Sequence, residues 1–188
     1  LRTTNAELRN LQRDLSLAQD SAERDPLTGL PNRRALEQAL ARAVDTARRT
    51  NAALAVAFCD IDHFKRINDD HGHAIGDRVL RVVGDALAGE ADEQTFVGRQ
   101  GGEEFVLLFE GIGVIDAGAR VDAVREALSR RFLRSRSDGA PIGQVTFSAG
   151  VAALLRDEQA EDLLHRADVA LYRAKESGRN QVMIDSGD

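Results

Sequence analysis

Asp60 and Asp62 close a nearly unbroken apolar run from Ala53 to Cys59. A carboxylate at the end of a strand buried on both faces is costly unless a cation or hydrogen-bond donors neutralise it. Alternation along a strand sends Asp60 and Asp62 to one side and Ile61 to the other. A second acidic pair sits in Gly101-Gly102-Glu103-Glu104-Phe105. Adjacent like charges repel and Glu is depleted in strands, so Glu103 and Glu104 are unexpected at a strand start. Set beside Asp60 they make an all-oxygen site suited to Mg²⁺ or Mn²⁺. Mg²⁺ needs few protein carboxylates when a substrate's phosphates complete its shell. A third feature is basic: Lys175 and Arg179, one helical turn apart near a helix end, can face a polyphosphate. Each feature has a plainer alternative. The aspartates can cap the next helix, the glutamates can line an exposed hairpin, and the cations can complement a helix dipole.

These residues need elements to position them. After the turn-rich Leu27 to Asn32, apolar spacing at Leu36, Leu40, Ala43 and Val44 predicts a helix to about Arg49. Ala53 to Cys59 reads as a doubly buried strand. Short helices are expected over Phe64 to Asp70 and Gly76 to Leu87. A hairpin follows, with strands at Thr95 to Arg99 and Glu103 to Phe109 and its turn at Gly101-Gly102, where paired glycines supply positive φ. Ala117 to Phe132 reads as a helix and Ile142 to Val151 as one strand. A helix over Asp162 to Ser177 ends at Gly178, and Gln181 to Ile184 makes a last strand. The order βααββαβ implies a mixed sheet with helices packed against it. The basic stretch from Arg130 to Arg136 reads as a solvated loop.

The chain has 188 residues, 43% hydrophobic and 30% charged, an ordinary globular balance for about one domain and an appendage. Its single cysteine, Cys59, excludes an internal disulfide, reads as a small core residue, and fits a reducing cytoplasm. No apolar run approaches the ~20 residues needed to span a bilayer. A net charge of −6 gives no overall field for nucleic acid or anionic lipid, so a polyanion must be met by a local, metal-assisted site. There is no P-loop, and His71 and His73 lack partners for a zinc set. Leu1, Thr4, Leu8, Leu11, Leu15, Ala18 and Ala22 follow steps of three and four, the seam of a helical stalk that could pair with its copy. The domain division is therefore a coiled-coil or linker helix over 1–24 and a globular domain over 25–188. Without a starting Met, the chain reads as a fragment of a longer protein.

Several ordered blocks together resemble the GGDEF domain of bacterial diguanylate cyclases in its G-G-E-E-F form. They are Asp25-Pro-Leu-Thr-Gly-Leu-Pro-Asn-Arg-Arg34, Asp60-Ile-Asp-His-Phe-Lys65 with Asn68, Gly72-His73, Gly76-Asp77, Arg99-Gln-Gly-Gly-Glu-Glu-Phe105, and Ala167-Asp168 through Tyr172, Lys175 and Gly178-Arg-Asn180. The resemblance implies an α+β sandwich like nucleotidyl cyclases and polymerase palms, with a mixed, mostly antiparallel sheet. It implies condensation of two GTP into cyclic di-GMP with release of pyrophosphate. By analogy, Asp60, the Ile61 carbonyl, Glu103 and Glu104 hold two Mg²⁺ per GTP, with Mn²⁺ as a substitute, and Asp60, Glu103 and Glu104 are the catalytic set. Asn68 and Asp77 hydrogen-bond the guanine edge, and His73 lies in that segment. Lys175 and Arg179, with backbone N–H groups near Phe64 and Lys65, meet the phosphates. The expected partner is a second copy, paired through the stalk and the domain faces, with an upstream sensory domain absent from this fragment. The family's Arg-x-x-Asp product-inhibition motif is replaced by Asp92-Glu93-Gln94-Thr95, which predicts no strong feedback there. Gln100 stands where an aromatic residue is common. The competing expectations are a non-catalytic GTP-binding module and a passive dimeriser.

Overall fold

The structure is a computed structural model that describes residues 22–134, 139 and 141–187. The expected stalk thus lies outside the described residues except for its last three, Ala22 to Arg24. Helix α1 (Arg33–Thr50) starts at Asn32, whose side chain accepts the Ala35 N–H, and ends at Asn51 in the left-handed region. Strand β1 (Leu54–Ile61) is buried along its whole length, as the apolar run predicts. Helices α2 (Phe64–His71) and α3 (His73–Ala88) follow. Then come β2 (Thr95–Gly101), β3 (Glu104–Glu110), α4 (Val114–Ser129) and the short β4 (Phe132–Arg134). The chain closes with β5 (Pro141–Gln144), β6 (Phe147–Ala153), α5 (Ala160–Glu176) and β7 (Val182–Asp185).

The main sheet runs β2-β3-β1-β6-β7. Its strand pairs are antiparallel except β6 with β7, so the sheet is mixed and mostly antiparallel. Alternation along β1 divides the core. Ala55, Ala57, Cys59 and Ile61 pack with Val79, Val83 and Val121 from α3 and α4. Leu54, Val56 and Phe58 pack with Leu36, Leu40, Leu163 and Leu171 from α1 and α5. Asp60 continues the second series, so the fold delivers it to the α1/α5 face. α5 lies very close to β6 at Gly150, where an added Cβ would stand 2.1 Å from both Ala167 O and Leu171 N. Only glycine allows that approach, which brings the end of α5 over the end of β1.

Three expectations need correction. The single strand over Ile142 to Val151 is two strands: β5 leaves the main sheet to pair with β4, and β6 joins β1. Gly143, at φ +99°, permits the departure, and the Asp62 N–H draws the Thr146 carbonyl at 2.9 Å, anchoring the chain before β6. The helix expected to reach Phe132 ends at Ser129, and Phe132 begins β4, part of the stretch read as loop. The hairpin turn is displaced by one residue. Gly101 pairs with Glu104, so Gly102 and Glu103 occupy the turn and the second strand starts at Glu104.

Candidate active site

Asp60 and Glu104 are direct partners across β1 and β3, and both face α1 and α5. Glu103 sits on the turn just before, and its carbonyl accepts the Ile61 N–H at 3.3 Å. Because Glu103 is a turn residue, strand alternation does not send it to the opposite face, and all three carboxylates stay close enough to perturb one another. Burial raises the Asp60 carboxyl above its ordinary value; Lys175 opposes this, while Asp62 and Asp168 add to it. Burial also raises Glu103 and Glu104, and for each the next cause is the Asp60 charge. The Lys175 ammonium lies 2.9 Å from Asp60 Oδ1.

The donor chemistry fits a hard divalent cation. Asp60, Glu103 and Glu104 offer only oxygen and carry more negative charge than one lysine neutralises. The set is not drawn in: among the described residues no three or more His, Cys, Asp or Glu side chains already stand as a ligand group. Lys175 instead supplies the positive charge at Asp60. The Ile61 side chain is 1% exposed and packs inward, so its backbone is the part available to the site.

Asp62 turns out differently from Asp60. Its carboxylate accepts from Thr146 Oγ1 and Ser148 Oγ at 2.7 Å each, and from the Asn180 N–H at 3.0 Å. It is a saturated bracket that ties β1, β6 and the turn after α5. That turn carries exposed Arg179 at φ +65°, so Asp62 fixes the backbone from which Arg179 projects. Neither aspartate caps α2, whose N-cap is His63 with no side-chain cap bond. The first-turn amides, including those of Phe64 and Lys65, are left without a side-chain acceptor. Lys175 and Arg179 are not a matched pair: the first is engaged with Asp60, and the second lies beyond the helix end.

On α2, the Asn68 Oδ1 is buried and has no hydrogen-bond partner among the described residues. It fits against Gly76 of α3, where a Cβ would stand 1.9 Å from that oxygen. A buried acceptor left unpaired is costly. Asp77 and His73 are exposed on the same helix. The structure thus places a carboxylate and an unpaired amide oxygen on neighbouring helices.

Sequence reasoning missed two participants. Asp168, on α5, acts on both Asp60 and Glu104; it stands in the Ala167-Asp168 block of the resemblance, about two helical turns before Lys175, but is given no role there. The other is an ion pair between Asp25 and Arg99, at 2.8 Å and 3.0 Å to the two carboxylate oxygens. Burial acts to raise Asp25, but hydrogen bonds from Thr28 and Arg99 outweigh it and hold the carboxyl below its ordinary value. The Arg99 guanidinium also donates to the Gly102 carbonyl. The segment just after the stalk therefore grips the turn that presents Glu103. The Cys59 thiol is pushed up by burial and is an inert core group, as expected. Tyr172 is 62% exposed, hence not core.

Known proteins resemble this chain in sequence and fold. The family model for "Diguanylate cyclase, GGDEF domain" matches residues 22–181. Diguanylate cyclase DgcP of Pseudomonas aeruginosa is 41% identical over 160 residues, covering 85% of this chain and 23% of that protein. Diguanylate cyclase VdcA of Vibrio cholerae is 32% identical over 183 residues, covering 97% of this chain and 53% of that protein. The chain thus spans about a quarter and about half of these relatives. The crystal structure of the coiled coil and GGDEF domain of DgcB from Caulobacter crescentus, in complex with c-di-GMP, matches with a TM-score of 0.94 at 34% identity, covering 98% of this chain and 97% of that one. Among the described residues no helix is long and apolar enough to cross a membrane. With the family model covering most of the chain, and the fold in agreement with solved GGDEF domains, this chain belongs to the GGDEF-domain family of diguanylate cyclases.

Proposed function

We propose that this domain condenses two GTP into cyclic di-GMP and two pyrophosphates, each protomer of a dimer contributing half of the site. The observation that carries this reading is the meeting of Asp60, Glu103 and Glu104 at one sheet end. Two Mg²⁺ ions, or Mn²⁺, held by Asp60, the Ile61 carbonyl, Glu103 and Glu104, would neutralise the triphosphate and acidify the 3′-hydroxyl. The chain's own residues do the rest. Asn68 Oδ1 and the Asp77 carboxylate accept from guanine N1–H and N2–H₂, donors that adenine does not offer in that pattern. A buried acceptor left unpaired by the wrong base makes such a site selective. The free amides at Phe64 and Lys65 donate to phosphate oxygens, as helix N-termini do. Lys175 and Arg179 neutralise the terminal phosphates, and His73 borders the base. Glu103 and Glu104 are placed to take the proton of the attacking hydroxyl. The 3′-oxygen of each GTP bonds to the α-phosphorus of the other as pyrophosphate leaves, once in each direction.

Under this reading two copies of the chain pair, and a domain that consumes GTP works in the cytoplasm. Product does not inhibit through the Asp92 to Thr95 window. There Arg120 is already held by Glu90 at 2.8 Å, Thr95 at 3.1 Å and Asp92 at 3.2 Å, leaving acids where a polyanion would need cations. The Lys175–Asp60 ion pair favours, as a second reading, a module that binds GTP without turning it over.

Incubation with GTP and Mg²⁺, with nucleotides resolved by chromatography, separates the two. Cyclic di-GMP formation, with specific activity rising with protein concentration, supports the cyclase. Bound but unchanged GTP supports the second reading. Asp77→Ala should erode the preference for GTP over ATP.

A further inference from the structure

Between α1 and α5 runs a groove of about 400 Å³, separate from Asn68 and Asp77 on α2 and α3. Leu40, Phe58 and Leu164 form an apolar floor, and Arg33, Gln100 and Asp168 stand on its rim. Leu40 and Phe58 are buried members of the core on this side of the sheet, with Leu164 packed against them, so the floor is fixed. An apolar floor with a few converging polar groups is the usual build of a site for a small organic ligand. Two observations tie it to nucleotide chemistry. The Gln100 Oε1 is buried without a hydrogen-bond partner among the described residues. The groove is also continuous with the acidic centre, since Asp168 acts on Asp60 and Glu104, and Arg33 acts on Glu104.

We propose that this groove receives the ribose of the GTP carried by the partner protomer, with Asp168 and Gln100 accepting hydrogen bonds from its hydroxyls. This rests on the half-site reading above and adds to it the surface that orients the attacking nucleotide. The chemistry of the rim decides the polarity. The polar lining is mostly acceptor, with Glu37 and Glu161 beside Asp168 and Gln100, which suits hydroxyl donors and repels a phosphate. Arg33 is held by Glu37 at 2.8 Å, so the groove offers no free cation to a phosphate there. The protomer's own guanine goes to Asn68 on the opposite side of the sheet end. The α1/α5 groove is left for the ribose that must reach Glu104 from outside. Holding it there removes the orientational cost of a bimolecular attack.

Ala41 is exposed on α1 and lines the groove, so Ala41→Trp fills it without disturbing the core. Asp168→Asn removes the charged acceptor at constant shape. Three measurements go together: cyclic di-GMP turnover, affinity for a non-reacting GTP analogue, and dimerisation by analytical ultracentrifugation. The expected result is at least a tenfold fall in turnover for each variant, with analogue affinity and dimerisation within twofold of wild type. Unchanged turnover in both variants overturns the assignment. So does an equal loss of analogue affinity, which would put the groove in the protomer's own GTP site. Loss of dimerisation would make it a protein contact and overturn it too. If wild type makes no cyclic di-GMP, the cyclase reading itself fails, which is a different outcome from wild type turning over alongside equally active variants.

Discussion

Glu104→Gln should make the metal-free protein more stable while abolishing its turnover. Glu104 lies directly across from Asp60, and facing side chains on neighbouring strands stand about 5 Å apart. Two unit charges at that distance repel by roughly 0.8 kcal/mol in water and roughly 3 kcal/mol at an effective dielectric of about 20. Glu104 is only half-buried and Lys175 offsets part of the charge, so about 1 kcal/mol of relief is expected, in line with cross-strand like-charge pairs. For a chain of this size that corresponds to a rise in Tm of about 3 °C. The pH dependence has a definite sign. The folded-state values of Asp60 and Glu104 are raised, so the cost of ionising both is complete above those values and disappears as pH falls through them. The Tm gain should therefore be full in mildly alkaline EDTA and vanish in acid. High salt should shrink it by screening. With GTP and Mg²⁺ the order should invert, because a ligand at 100 times its Kd adds about 2.7 kcal/mol to wild type and the variant lacks one of the acids proposed to hold the cation. The assay is thermal unfolding followed by circular dichroism, in EDTA and then with ligand. A variant less stable than wild type in EDTA, or a gain that persists in acid, refutes the electrostatic account of the site.

Gly76→Ala should leave Tm unchanged or slightly raised, because Ala is the better helix former. It should weaken GTP binding tenfold or more, because its Cβ would fall 1.9 Å from Asn68 Oδ1; isothermal calorimetry and unfolding read the two halves. Asp25→Asn should cost about 2 kcal/mol, since the Arg99 partner is only 12% exposed and loses its countercharge. Because the Asp25 carboxyl is lowered, that contribution is complete above its ordinary unfolded value of 3.8 and fades as pH falls through the lower folded value, which urea unfolding at a series of pH values reads directly. Gly150→Ala should destabilise by about 3 kcal/mol or more, because α5 backbone must retreat from an atom placed 2.1 Å away; native-like thermal unfolding of that variant would contradict the close packing of α5 on β6.

What the sequence shows plainly is what local pattern controls. β1 was readable because every residue from Leu54 to Ile61 is buried, and α1 because its apolar stripe is regular and Asn32 caps it. The acidic trio was readable because carboxylates at the end of an apolar strand and after paired glycines conflict with local preference, and such conflicts cluster at functional sites. The missed features depend on long-range partners. The break between β5 and β6 is anchored by Asp62 binding Thr146 and Ser148, more than eighty residues away in sequence. The shifted turn depends on Arg99 gripping Gly102 while Asp25 holds Arg99. Neither bond leaves a period in the sequence. The role of Asp168 is hidden for a related reason: an exposed acid on a helix looks ordinary until β1 and β3 bring Asp60 and Glu104 beneath it.

Under the proposed function Asp60, Glu103 and Glu104 act as one cation site beside the nucleotide. Crystals grown with Mn²⁺ and a non-reacting GTP analogue, with anomalous scattering measured at the manganese edge, test it most directly. The account predicts manganese bounded by those three carboxylates, with Lys175 drawn off Asp60 toward the phosphates. Manganese bound elsewhere, with Lys175 still paired to Asp60 beside bound nucleotide, would contradict it.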